Sequence, residues 1–222
     1  MKSIFITGGA GFLGSHTSLL FLEKGYVIFI IDSFINSSEK SIERVSQILK
    51  EKGIDIKDKI YLIKGDMKSL DDIENVFKMS IKFKKRIESV IHFAGLKSVS
   101  ESVDNPLTYW DNNVMGTINL LKVMEKYNCK NIVFSSSATV YKADTNKLLN
   151  ENNFCEPVNT YGNTKLTIEN ILNDIFKSHP YGWRIACLRY FNPVGAHESS
   201  LIGEDPSGEP NNIYPRITKV AV

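Results

Sequence analysis

Cysteine is scarce in this chain of 222 residues, which holds 3 of them. Cys129, Cys155 and Cys187 lie far apart. So few thiols exclude a disulfide framework or a cysteine-built zinc site and suit a reducing compartment. No apolar stretch approaches the roughly 18–20 residues that a membrane-crossing helix needs. A strand pattern begins almost at the first residue, so no secretory leader is expected. Charge of one sign is also missing. The 27 Lys+Arg oppose 25 Asp+Glu for a net charge of +2. That balance leaves no electrostatic footprint for nucleic acid or an anionic membrane surface. The four histidines, His16, His92, His179 and His197, have no metal-ligand spacing, so packing roles and no metal are expected. A cytoplasmic protein without membrane or nucleic-acid partners follows as the expectation.

What is present is an ordinary globular composition, 42% hydrophobic and 23% charged. Short β-rich apolar runs occupy 3–7, 26–31, 60–63, 89–93, 131–135 and 185–191. Several are apolar at consecutive positions, as in strands covered on both faces. Helical patterns fill the gaps at 12–24, 39–52, 70–84, 106–127 and 160–178. Asn105 can cap the fourth of these, and Pro106 suits its first turn. The alternation predicts an α/β fold, a Rossmann-type doubly wound parallel sheet. A loop-rich stretch follows at 192–215, then a helix start at 216–222. The expected division is a dinucleotide-binding domain over 1–191 and the start of a smaller substrate domain over 192–222, with the chain expected to be truncated there.

Directly after the first strand stand Gly8, Gly11 and Gly14 in a G-x-x-G-x-x-G pattern. A strand that turns sharply into a helix aims free N–H groups at a pyrophosphate, and side chains in the turn would block the approach. Asp32 closes the second strand about 20 residues further on, where a carboxylate accepts from ribose hydroxyls and repels a 2′-phosphate. That favours NAD over NADP. Asp66 follows the third strand, where it can meet an adenine amino group or cap a helix. The small residues of Phe93-Ala94-Gly95-Leu96-Lys97 can let backbone lie against a cofactor or serve as a plain strand exit.

Tyr161 and Lys165 form Y-x-x-x-K at the start of a helical pattern, where i and i+4 share a face. The spacing alone is weak, since chance supplies about one instance in a lysine-rich chain. Its value comes from Ser135-Ser136-Ser137 at the end of the fifth strand, on the edge where such sheets bind ligands. A serine hydroxyl, a phenol and an ammonium can then converge on one substrate. The nearby ammonium and a cationic nicotinamide are expected to lower the Tyr161 pKa, making it a base for a substrate hydroxyl. Ser137 would hold the same oxygen, and Lys165 the nicotinamide ribose.

With these residues assembled, the chain resembles the extended short-chain dehydrogenase/reductase superfamily, and within it the family of UDP-galactose/UDP-glucose 4-epimerases. The resemblance runs through GGAGFLGSH (8–16), HFAGLKSVSESV (92–103), YWDNNVMGT (109–117), FSSSATVY (134–141), TYGNTK (160–165), LRYFNPVGAH (188–197) and GEDPSGEPNNIYP (203–215). It implies NAD as cofactor, UDP-galactose and UDP-glucose as substrates, and a homodimer through helices including 106–127. It places Phe12 and Leu13 by the pyrophosphate, Asp32, Ser33, Asn36 and Ser37 on the adenosine ribose side, and Asp66 and Met67 at adenine. Phe93, Ala94, Gly95, Lys97 and Asn112 would line the NAD site, with Phe191 toward nicotinamide. Asn192, Asn212 and Ile213, with Lys97, Ser137 and Tyr161, would contact the UDP-sugar. Ser137, Tyr161 and Lys165 match the catalytic positions. One departure is Lys142, where the family usually has glycine.

The implied chemistry is oxidation at sugar C4 by tightly held NAD, rotation of the 4-keto sugar and hydride return to its other face. Sister 4,6-dehydratases carry Thr-Asp-Glu after the serine strand, where this chain has Ser137-Ala138-Thr139. A UDP-glucuronate decarboxylase and a catalytically silent NAD-binding module are the other readings.

Overall fold

Six parallel strands form the centre of the computed structural model, which describes residues 2–142, 148–206 and 212–221. They are β1 (Ser3–Thr7), β2 (Val27–Asp32), β3 (Ile60–Lys64), β4 (Ile87–His92), β5 (Asn131–Ser137) and β6 (Arg184–Tyr190). Their order is β3-β2-β1-β4-β5-β6. The helices are α1 (Phe12–Glu23), α2 (Lys40–Glu51), α3 (Leu70–Lys82), α4 (Val99–Asp104), α5 (Pro106–Tyr109), α6 (Gly116–Lys126), α7 (Thr160–Ser178) and α8 (Ile213–Ala221). Every residue of β1 and β2 is buried, which is why their apolar runs show no alternation.

Successive side chains of a strand face opposite layers. Phe5, Val27, Phe29 and Ile31 join α3, α6 and α7 in one core. Ile4, Ile6, Ile28 and Ile30 join α1 and α2 in the other. The strand order reverses between β1 and β4, so the loops leaving their carboxyl ends diverge and open a crevice. All functional candidates near those ends therefore share one side of the sheet.

Three local expectations are corrected. The helix expected at 106–127 is interrupted by a π-helical turn at Trp110–Met115 between α5 and α6. Pro106 does open α5, but the Asn105 side chain makes no capping bond, because its residue still closes α4 with its N–H on the Glu101 carbonyl at 2.9 Å. The last helix starts at Ile213, three residues before the expected position. α4 was not anticipated, although Ser98 caps it by accepting from the Glu101 N–H.

Candidate active site

The glycine turn is fixed by packing. Gly8 has φ +67°, and a Cβ there would lie 2.7 Å from the Ala94 nitrogen of the β4 exit. At Gly14 a Cβ would meet the Gly8 carbonyl oxygen at 2.3 Å, so α1 seats directly on the turn. Gly11 differs, since its Cβ position has only that same oxygen at 3.4 Å and otherwise faces open space. α1 has no side-chain cap and no acidic residue in its first turn. Its free N–H groups, with Phe12 and Leu13 at the helix start, form an anion-binding end that fits a dinucleotide pyrophosphate.

Asp32, buried at the end of β2, closes this side. One carboxylate oxygen accepts from the Ala10 N–H at 3.0 Å, the other from the Phe34 N–H at 3.0 Å and the Ser37 hydroxyl at 2.7 Å. Ser33 is half-buried next to it, while Asn36 is exposed. Asp66 does not cap α3. Ser69 does, accepting from the Asp72 N–H at 3.1 Å, while Asp66 closes a turn on the Lys68 N–H at 2.9 Å. Met67 is buried beside it.

The exit of β4 is tied to both β1 and the helices. The Phe93 and Ala94 N–H groups donate to the Thr7 carbonyl at 3.1 Å. Asn113, in the π-helical turn, accepts from the Leu96 N–H at 2.8 Å and donates to the Leu96 carbonyl at 3.1 Å and to the Thr164 hydroxyl at 3.2 Å. It thereby fixes Gly95 and Lys97 relative to α7. Resemblance singles out Asn112, whose side chain turns back to the Thr108 carbonyl at 3.0 Å. The buried bridge falls to its neighbour. His92, behind this exit, is a structural group as expected. It sits between the Thr7 hydroxyl at 2.6 Å and the Thr117 hydroxyl at 2.9 Å, and burial together with the Lys165 charge lowers its pKa to about 3.

α7 brings the serine, tyrosine and lysine together. Asn159 caps it by accepting from the Gly162 N–H at 2.8 Å, and the Tyr161 N–H donates to the Ser102 hydroxyl of α4 at 3.1 Å. A Cβ on Gly162 would lie 2.5 Å from the Thr139 carbonyl. That close approach presses the start of α7 onto the turn Ala138–Val140, immediately after Ser137. Lys165 is buried, donates to the Ser135 carbonyl at 2.8 Å, and stands 5.7 Å from the Tyr161 ring centroid. Burial lowers its pKa to about 8. The expected depression of Tyr161 is absent in the chain alone. Burial raises its pKa, with hydrogen bonding to Ser137 opposing. Positive charge placed beside the phenol would favour the phenolate against that burial.

Beyond β6 the arrangement is looser. Phe191 and Asn192 are exposed, as is Ile213. Asn212 donates to Glu204 at 2.7 Å, and Lys97 lies 3.6 Å from the same carboxylate oxygen. Lys97 and Asn212 thus meet across Glu204, a residue the sequence reading did not single out. Among the described residues no cluster of His, Cys, Asp or Glu is arranged to hold a metal.

A parallel sheet in the order 3-2-1-4-5-6, an anion-binding turn at its switch point and a Ser/Tyr/Lys set beside it define an extended short-chain dehydrogenase/reductase fold. The family described as GDP-mannose 4,6 dehydratase matches residues 5–222, and the chain belongs to it. It is similar to "Bifunctional UDP-glucose 4-epimerase and UDP-xylose 4-epimerase 1" of Pisum sativum, 49% identical over 221 residues, covering 100% of this chain and 61% of that protein. A UDP-glucose 4-epimerase of Pisum sativum is 48% identical, with the same coverage. Among solved structures, the UDP-glucose 4-epimerase of Bifidobacterium longum in complex with NAD+ and UDP superimposes with a TM-score of 0.88 at 44% identity, over 99% of this chain and 62% of that one. The enzyme from Stenotrophomonas maltophila, with bound NAD and formylated UDP-arabinopyranose, gives 0.89 at 37% identity, over 100% and 62%. The chain spans about three-fifths of the length of the curated relatives it matches.

Proposed function

We propose that the protein interconverts UDP-galactose and UDP-glucose, an NAD-dependent 4-epimerase (EC 5.1.3.2), with residues 1–191 binding NAD and residues 192–222 beginning the nucleotide-sugar site. One observation carries the reading: Ser137, Tyr161 and Lys165 converge beside a crevice whose other wall is the uncapped start of α1.

Bound NAD supplies the hydride acceptor and donor. The free N–H groups at residues 12–14 hold its pyrophosphate, and Asp32 takes the adenosine ribose hydroxyls. Tyr161 removes the proton from the C4 hydroxyl of the sugar, and Ser137 holds that oxygen. Lys165, hydrogen bonded to the Ser135 carbonyl, would hold the nicotinamide ribose and places an amine beside the phenol ring. Positive charge on a bound nicotinamide would oppose the burial that raises the Tyr161 pKa. After the 4-keto sugar turns over, Tyr161 returns the proton to the C4 oxygen as C4 takes hydride back on its other face.

The family's description names a dehydratase, whose elimination of water needs an added acid and base. Ala138 and Thr139 occupy the positions after Ser137 and offer no carboxylate, so epimerisation is favoured. A homodimer is part of the proposal, supported by the exposed apolar Val103, Leu107 and Met115 on α4, α5 and the adjoining turn. So is a cytoplasmic location, supported by the scarcity of cysteine. Among the described residues no helix is long and apolar enough to cross a membrane. The test supplies UDP-galactose to purified protein without added NAD, stops the reaction, and then measures UDP-glucose in a second step with a dehydrogenase given its own NAD. UDP-glucose formation is expected. Its absence from folded protein shown to hold NAD overturns the reading.

A further inference from the structure

α7 carries a third polar side chain on the face that holds Tyr161 and Lys165. Residues four apart on a helix are neighbours, so 161, 165 and 169 form one row. Each member takes a different residue at the end of β5. Tyr161 meets Ser137, Lys165 takes the Ser135 carbonyl, and Glu169 accepts from the Ser136 hydroxyl. Glu169 is also paired with Arg189 of β6, whose Nε lies 3.0 Å from one carboxylate oxygen and whose Nη2 lies 2.7 Å from the other. Ser136 and Arg189 are register partners across β5 and β6. A single carboxylate therefore spans both strands one residue before Ser137.

Arg189 extends the tie. Its guanidinium lies 4.8 Å over the Tyr141 ring, and Nη1 donates to the Glu151 carbonyl at 3.3 Å. Both residues belong to the connection that leads from β5 into α7. The Arg189 and Glu169 side chains are 20% and 10% exposed. A bidentate pair so covered is directional as well as charged, which a helix packed by apolar contact alone is not. On this side Ile185 of β6 packs against the core that holds Ile168 and Leu172 of α7, and the Arg189–Glu169 pair adds direction to that apolar contact.

We propose that Glu169 is a positioning residue: through Ser136 and Arg189 it sets the depth of α7 against β5 and so holds the Tyr161 phenol and the Lys165 amine at the crevice. The proposal rests on the reading of Tyr161 as the base. Neither Glu169 nor Arg189 is assigned contact with substrate. Lys165 reports on the depth of the helix, because it is buried, faced by His92 from β4 and by Tyr161 from its own helix, and its pKa of about 8 reflects that burial.

The experiment compares Glu169→Gln, Glu169→Ala and Arg189→Lys. Displacing a reacting group by about 1 Å costs up to about 100-fold. The kcat is expected to fall about 10-fold in Glu169→Gln and about 100-fold in Glu169→Ala, with KM and NAD affinity within about threefold of wild type. Arg189→Lys should resemble Glu169→Gln, since an ammonium lacks the planar fork. Glu74→Gln is the control, removing a carboxylate bonded to Lys126 and Tyr127 away from the crevice. It should lower the melting temperature and leave kcat unchanged. NMR titration of the Lys165 amine should show its pKa rising toward 10.5 in Arg189→Lys, which loosens the tie without removing charge as both Glu169 variants do. A kcat within about twofold of wild type in both Glu169 variants, an unmoved Lys165 titration in Arg189→Lys, or a kcat loss matched by Glu74→Gln would overturn the proposal. If the wild-type protein holds NAD yet forms no UDP-glucose, the epimerase reading fails, and the Lys165 titration still decides the positioning role.

Discussion

β2 and β6 belong to one parallel sheet but sit in different environments. All six residues of β2 are buried, with α1 and α2 over one face and α3 over the other. In β6 Arg184, Ala186, Cys187 and Leu188 are all exposed. On the face away from α7, Ile91, Val133 and Ala186 line an open groove among the described residues. The lesson is that the two walls of the crevice are held by different forces. The wall with the glycine turn and Asp32 stands on a dry apolar scaffold. The wall with Ser137, Tyr161 and Lys165 depends on specific polar ties, from Asn113, Ser102 and Glu169, to place a few groups accurately.

The largest expected contrast is between two core-type truncations. Phe29→Ala removes a fully buried ring from β2 and should cost about 3–5 kcal/mol of unfolding free energy. Leu188→Ala on β6 starts from a side chain 42% exposed and should cost below about 1 kcal/mol. Denaturant melts of both variants check the pair, and equal losses would erase the contrast.

His92 sits at the seam between the walls, and acid should open it. Its pKa is lowered from 6.5 to about 3 in the fold. The unfolded chain therefore binds the proton first, and stability falls as pH drops below 6.5 and continues to fall until about 3. Between pH 7 and 4 the loss from this group is about 3 kcal/mol. His92→Gln should flatten that part of the stability–pH curve. An unchanged curve would remove His92 as its cause.

A smaller and sharper test separates two glycines of one turn. A methyl group at Gly14 meets backbone at 2.3 Å, whereas at Gly11 nothing is closer than 3.4 Å. Gly14→Ala should lose about 1–3 kcal/mol of stability and NAD binding with it. Gly11→Ala should melt within a few degrees of wild type and lose only NAD affinity, about 10-fold. Calorimetric unfolding and NAD titration together distinguish the two effects. Equal behaviour would mean that Gly11 does not face the dinucleotide.

The wall with the simpler physics was the more legible one. Consecutive apolar residues, glycines between a strand and a helix, and an acid at the end of the next strand are local signals, and each sits where the pattern puts it. Tyr161, Lys165 and Ser137 were readable because their spacing combines with a strand end. The polar ties were not, since Asn113 acts from a π-helical turn that breaks the expected 3.6-residue period. Glu169 and Arg189 pair between elements 20 positions apart, and only the β5–β6 register brings them together. Two signals were available all the same. Ser98 stands three before Glu101 as a capping box, and Glu169 continues the Tyr161–Lys165 row by one more turn. For the Tyr161 pKa a sequence shows the nearby lysine but not the burial that opposes it in the chain alone.

Replacing Tyr161 with Phe tests the central claim most directly, because it removes one hydroxyl and leaves the ring that packs beside Lys165. NAD affinity should stay within about threefold, while turnover of UDP-galactose falls by about 1,000-fold or more. Turnover near the wild-type rate in protein that still holds NAD would show that the chemistry proceeds without the phenol.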